Sequence, residues 1–403
     1  MSASVARIRR RSRAFRVAAV FAELRPERSP LLDRVAAHPE IDLTAIYGEP
    51  TAAGRDSRPR PRHRAVFLRG LRLPWTGSPG AQLARRYPLT LGIRRALAST
   101  SPDVVVVSGW RAFATQAAIA WCRLTRIPYV LVVEEHDEDA AGGWRRMVDG
   151  AVVTPIVQHA GGVLVTGTLA RRSVLERGAP PEHVRVFADT IDVEDFGARA
   201  DGLAVHRQEL RDALGAGPDD VVVLSTGPLA PEKRHADLVH AVAKTGDDRL
   251  LLVLAGDGPE RERLVDLARI RDVRLVALAE QAWGPIELYA AADVFVLLSD
   301  HETWAVVVNE AAACGLPLVL SDRVGAAHDL LVDGENGALV EAGDVDAAAE
   351  ALGRLAGDPE LRSAYGARSR ELARDWGYGP SVDGFLAAVR EAVSDTARAA
   401  ARR

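Results

Sequence analysis

The sequence predicts an α/β chain made of two doubly wound parallel sheets that face each other across a cleft. Its 403 residues are too many for one ordinary core and suit two domains of roughly 150 to 200 residues each. Short β-branched runs alternate with longer helical patterns from end to end. Those runs are almost continuously apolar, as strands covered by helices on both faces must be.

In the first half the strand-like runs are FRVAAVFA (15–22), IDLTAIYG (41–48), AVFLRG (65–70), DVVVVSG (103–109), YVLVVEEH (129–136), GVLVTG (162–167) and VRVFAD (184–189). Residues 190–202, TIDVEDFGARADG, lack a strong period and hold turn formers, so they read as the linker. A charged helical stretch near 203–214 and the loop GAGPDD (215–220) lead into the second set: VVVLSTG (221–227), RLLLVLAG (249–256), VRLVAL (273–278), ADVFVLLS (292–299), LPLVLSD (316–322) and GALVEA (337–342). A last helical pattern runs over about 381–400, after an aromatic break at WGYGP (376–380). The expected division is residues 1–195, residues 196–380 and a final helix over 381–403. In open parallel sheets ligands sit outside the carboxyl ends of the strands, so two such domains place a site in the cleft between them.

Composition narrows the class. A hydrophobic content of 48% with 26% charged residues is that of a soluble chain, and no apolar run approaches the ~20 residues of a membrane helix. The start, MSASVARIRRRSRAF, lacks the apolar core of a secretory signal, so a cytoplasmic location is expected. Cys122 and Cys314 each sit in an apolar helical pattern and read as buried thiols rather than a disulfide or zinc pair. Residues 1–100 hold 20 arginines against 7 acidic residues, a charge of +13 that leaves −17 for the remainder of a chain of net charge −4. The clusters Arg9, Arg10, Arg11, Arg13 and RPRPRHR (58–64) fit either peripheral contact with an anionic membrane or a solvated tail and loop. Nucleic acid is not expected, because no aromatics interleave the charge.

The stretch ETWAVVVNEAAACGLPLVLSD (302–322) carries the chemistry. Ser299, Asp300 and His301 follow a buried strand, so Glu302 lies in the loop at its carboxyl end, and Glu310 comes about one and a half turns into the next helix. Sugar hydroxyls suit such carboxylates because each donates a hydrogen bond. Backbone amides near Ala305, Val306 and Val307, at a helix start, are natural binders of a diphosphate.

This stretch resembles the E-x7-E signature of the retaining GT-B glycosyltransferases of family 4, as found in bacteria, and the similarity continues through CGLPLVLSD. STGPLAPEKRHADLVHAV (225–242), LAGDGPER (254–261), SPLLDRVAAHPEIDLTAIY (29–47) and GTLARRSVLERGAPPEHVRVFADTIDVEDF (167–196) look like the same family, which covers about residues 15–385. The resemblance implies two Rossmann-like domains, an acceptor-side first and a nucleotide-sugar-binding second, with the last helix crossing back to the first. It implies transfer of a sugar from a nucleotide diphosphate-sugar to an acceptor hydroxyl on a glycan, lipid or small molecule, in cell-surface polysaccharide, glycolipid or secondary-metabolite synthesis.

Carried over by position, Glu310 would bind ribose hydroxyls, Glu302 would sit near the donor sugar, and Lys233, helped by Arg234, would neutralise the leaving diphosphate. Gly227 and Gly258 would let backbone approach the nucleotide, and His136 would face the donor sugar from the first domain. No metal or other cofactor is implied. Pro228 stands where the family commonly has Arg or Lys, and Ala305 where its signature has glycine. DED (137–139) and DVD (344–346) formally match a metal-binding Asp-x-Asp pattern that is frequent by chance. Other readings of the same scaffold are a nucleotide-sugar epimerase and a non-catalytic nucleotide-sugar or glycan binder. A dehydrogenase is disfavoured, since neither domain opens with G-x-G-x-x-G.

Overall fold

The computed structural model describes residues 14–25, 27–49, 61–71, 89–134, 143–279 and 283–401. His136, Arg9 to Arg13, Arg58, Arg60 and the DED triplet lie outside them.

The first sheet uses β1 (Phe15–Glu23), β2 (Ile41–Glu49), β3 (Arg64–Phe67), β6 (Val104–Ser108), β7 (Tyr129–Val133), β8 (Gly162–Val165) and β9 (Val184–Val186) in the order β3-β2-β1-β6-β7-β8-β9. All its pairings are parallel. A small antiparallel pair, β4 (Arg69–Leu71) and β5 (Leu89–Leu91), stands beside it and has no signal in the sequence pattern. The second sheet holds β10 (Val221–Thr226), β11 (Leu250–Ala255), β12 (Arg274–Leu278), β13 (Val294–Leu297), β14 (Leu318–Ser321) and β15 (Gly337–Val340), ordered β12-β11-β10-β13-β14-β15 and again wholly parallel. Val104, Val105, Val106 and Val107 are all fully buried, alternating between two separate apolar clusters on the two faces of the first sheet. Each such valine contributes roughly 1.5 to 3 kcal/mol by leaving water, which is why these strands read as unbroken apolar runs.

Residues 190–202 are not an open linker. Asp192 accepts a hydrogen bond from the backbone N–H of Asp195 and caps a helix, Val193–Gly202. Its buried Val193 and Ala200 join the second domain's core. The glycines and aspartates that suggest turns mark a capped helix with Gly197 set against the Ala313 carbonyl, 2.9 Å from where a Cβ would stand.

The last helix begins earlier than its apolar period, at Tyr378, and runs to Ala401. Pro380 is tolerated in its first turn, where no intrahelical donor is needed. The helix returns to the first sheet: Phe385 packs on Phe187 with ring centroids 5.5 Å apart, and Ala388 and Ala392 press on Gly162 and Gly161. The chain therefore crosses between domains twice, near Thr190 and near Trp376. Among the described residues no helix is long and apolar enough to cross a membrane. Part of the basic run is folded in: His63 is buried, bonded to Tyr47 Oη at 2.8 Å and Asp33 Oδ1 at 2.6 Å.

Candidate active site

All strands of the second sheet run the same way, so the loops after β10, β11, β13 and β14 gather at one end. After β10, the turn Pro231–Lys233 brings Lys233 to that end of the sheet. After β13, the chain enters Ser299 to Ala305. Lys233 Nζ and Glu302 Oε1 form an ion pair, with both side chains about one-sixth exposed, and Ser299 Oγ donates to the same carboxylate oxygen at 3.1 Å. Glu302 is fixed from behind: its N–H donates to the Arg323 carbonyl, and its own carbonyl accepts from Gly325 N–H, both at 3.0 Å.

Glu310 occupies a different station. It lies in the helix Val306–Ala313, and Tyr289 Oη donates to its Oε2 at 2.7 Å. Tyr289 Oη is in turn 3.3 Å from Thr226 Oγ1 at the end of β10. Burial raises the Glu310 carboxyl above its ordinary value, and the Tyr289 hydrogen bond takes back part of that rise. The two carboxylates thus flank one helix start but serve separate partners.

Ala305 is the residue before that helix and sits at φ +82°, ψ +84°, a left-handed conformation that suits glycine. No side chain caps the helix. As first-turn amides, those of Val306 and Val307 have no preceding helical carbonyl to bond and are free to donate to a bound group.

The remaining expected residues fall out unevenly. Gly227, at φ +131°, borders open space. Gly258 does not need its bareness for a ligand, because a Cβ there would meet the backbone of Leu229, with its carbonyl carbon at 2.7 Å. The loops after β10 and β11 are packed on each other, Leu229 N–H donating to the Asp257 carbonyl at 2.9 Å. Arg234 is committed to Asp237 at 2.6 Å and Asp300 at 2.8 Å, so its charge is largely neutralised within the protein. The DVD triplet is a helix cap rather than a metal pair: Asp344 Oδ1 accepts from the N–H groups of Asp346 and Ala347.

Three features escaped the sequence reading. Asn309, completely buried, accepts from Trp304 Nε1 at 2.8 Å and donates to Thr190 Oγ1 at 3.2 Å and the Trp376 carbonyl at 3.4 Å. One amide therefore ties the loop after β13 to both chain crossings. Its signal was a polar residue inside the apolar run VVVNEAAA. Tyr289, the partner of Glu310, has no such signal. On the first domain, buried Arg28 bridges Asp189, at 2.6 Å through both carboxylate oxygens, and Glu134, at 2.6 Å, with Arg25 also on Glu134 at 2.6 Å. Burial works against the Glu134 charge, but the two guanidiniums hold its carboxyl well below the usual range. Glu134, Ser108, Gly109, Trp110 and Arg25 line a small cavity of about 90 Å³ at the carboxyl ends of β1, β6 and β7.

Comparison with known proteins adds to this geometry. Residues 206–372 match the family model described as glycosyl transferases group 1, and residues 36–190 the glycosyl transferase 4-like domain. A D-inositol 3-phosphate glycosyltransferase of Saccharomonospora viridis is 34% identical over 232 residues, covering 54% of this chain and 52% of the relative. A GDP-mannose-dependent alpha-mannosyltransferase of Mycobacterium tuberculosis is 29% identical over 71% of this chain and 73% of its own. The aligned region spans about half the length of the first of these relatives. The Anabaena protein HepE, solved with UDP and glucose, superposes with a TM-score of 0.69 at 17% identity, covering 94% of this chain and 99% of that one. It shares the fold.

Proposed function

We propose, from the premise that this chain belongs to the GT-B glycosyltransferases of the family 4 type, that it transfers a sugar from a nucleotide diphosphate-sugar to an acceptor hydroxyl with retention at the anomeric carbon. The observation that carries the reading is the grouping of Lys233, Glu302 and the uncapped start of helix Val306–Ala313 at one strand-end crevice, with Glu310 one turn deeper.

Each group has a task in that step. As the glycosidic C–O bond breaks, negative charge grows on the departing phosphate oxygen. Lys233 and the Val306 and Val307 amides meet it, which is worth most in a crevice closed to water. The acceptor oxygen bonds to the anomeric carbon from the same face and passes its proton to the leaving diphosphate, which departs as the nucleoside diphosphate. Glu302 accepts from donor-sugar hydroxyls and orients Lys233, and Glu310 accepts from the ribose. These groups supply the charge stabilisation without a metal ion. His136 is assigned opposite the donor sugar by family position alone.

The relative's GDP-mannose dependence and the UDP bound to HepE support a guanosine or uridine donor, and the inositol phosphate relative supports a small polyol acceptor beside a glycan or lipid. If the acceptor is membrane-held, the arginine-rich first hundred residues dock on the anionic surface. Sedimentation with anionic vesicles, lost on replacing Arg9, Arg10, Arg11 and Arg13, tests that contact.

The test of function is a thermal-shift and mass-spectrometric turnover screen against UDP-, GDP-, ADP- and dTDP-sugars in EDTA. Stabilisation by one nucleotide class with nucleotide release supports the reading. Donor turnover into an isomeric nucleotide-sugar would identify an epimerase, and binding without turnover a binding protein.

A further inference from the structure

The two domains are joined across the cleft by a contact the reaction scheme leaves unused. Asp329, in the second domain, accepts hydrogen bonds from Thr168 N–H at 2.9 Å and Thr168 Oγ1 at 2.6 Å, in the first. These donors open the helix Thr168–Glu176, whose own N-cap residue is Gly167 and supplies no side chain. Asp329 therefore caps a helix of the other domain, and a carboxylate at a helix start gains from the dipole as well as the hydrogen bonds. Gly167 is required by the same approach. A Cβ there would lie 2.5 Å from Cζ3 of Trp304 and would also strike the Asp329 carboxylate.

On its own side, Asp329 is one turn away from the loop that bears Glu302. Residues 302–304 run alongside 323–326: Glu302 N–H donates to the Arg323 carbonyl, Gly325 N–H to Glu302, and Ala326 N–H to Trp304 at 2.9 Å. Asp329 N–H then donates to the Ala326 carbonyl at 3.2 Å. Trp304 packs on Trp376 at the second chain crossing, ring centroids 4.9 Å apart, and immediately precedes Ala305. The interdomain contact and the donor loop are thus one hydrogen-bonded unit. Burial pushes the Asp329 carboxyl up, and the Thr168 bonds only partly offset it.

We propose that Asp329 is a positioning residue: by gripping Gly167–Thr168 across the cleft, it fixes the domain arrangement in which the loop Glu302–Ala305 packs on the first domain through Trp304 at Gly167. This inference rests on the transferase reading. A physically continuous element linking both domains to the reacting loop is what such coupling requires, and closure that completes a site acts on turnover more than on ground-state binding.

The experiment compares Asp329→Asn, Thr168→Val and Thr168→Ser with the parent chain, reading kcat, donor KM, UDP and GDP affinity, and amide exchange over 302–310. Thr168→Ser keeps both donors and is expected to match the parent. Asp329→Asn and Thr168→Val are expected to lower kcat on the order of tenfold, leave nucleotide affinity within about threefold, and speed exchange at 302–306. Unchanged kcat and unchanged exchange at 302–306, while exchange at the start of helix 168–176 rises, would overturn the proposal. So would losses that simply follow Tm. If the parent turns over no nucleotide-sugar, the transferase reading fails by itself, and the exchange data still decide whether the contact governs the loop.

Discussion

Lys233 and Glu302, 69 residues apart in the chain, are joined in an ion pair at the mouth of β13, with Ser299 Oγ on the same carboxylate oxygen. On the proposed reading, the pair presets the ammonium for the diphosphate and holds a carboxylate for the donor sugar. Glu302→Gln keeps the shape and the Ser299 contact but removes the charge that orients Lys233. It is expected to lower kcat/KM on the order of a hundredfold with Tm within a few degrees of the parent. Turnover within twofold of the parent would show that Glu302 takes no part.

Ala305 holds a left-handed backbone that costs an alanine roughly 1 kcal/mol. Ala305→Gly is therefore expected to stabilise the fold by about 0.5 to 1 kcal/mol in urea denaturation. Ala305→Val, β-branched at the same φ, is expected to destabilise by more than that and to weaken nucleotide binding by moving the Val306 and Val307 amides.

Glu310 gives a pH signature. Its carboxyl is raised by burial, and in the proposed ribose role the ionised form accepts from hydroxyls more strongly than the neutral acid. Nucleotide affinity is thus full above the raised pKa and falls as pH drops through it, at a higher pH than an ordinary carboxylate would require. Glu310→Gln is expected to bind more weakly at neutral pH and to flatten this dependence. Titration calorimetry between pH 4 and 8 reads both effects.

The Arg28–Asp189 pair joins the carboxyl ends of β1 and β9 inside the first domain. Asp189→Ala strands part of a buried guanidinium and is expected to cost about 3 to 5 kcal/mol. Arg28→Leu combined with Asp189→Leu leaves Glu134 to Arg25 and is expected to recover most of the loss in a denaturant titration.

The strands of both sheets were legible because a parallel strand is buried on both faces, so each reads as a β-branched run such as VVVV at 104–107. The helix at 193–202 was not, because its inward face, Val193, Phe196, Gly197 and Ala200, carries only two large apolar side chains among glycines and aspartates that read as turn formers. Glu302, Lys233 and Glu310 stand out through a spacing shared with a family, yet the Lys233 pairing and the Tyr289 contact are properties of the folded chain. Arg28 and Asp189 are 161 residues apart, and isolated charges in a sequence look like surface. Asn309 did leave a local mark, and its role follows only when both chain crossings are in view.

The most direct test of the donor site is the affinity of UDP and GDP for the parent chain and for Lys233→Met, both in EDTA. The account predicts metal-independent binding of one nucleotide by the parent and a loss on the order of a hundredfold in the variant, with the fold intact. Equal affinity in the two proteins would place the diphosphate elsewhere and contradict the assignment of this crevice.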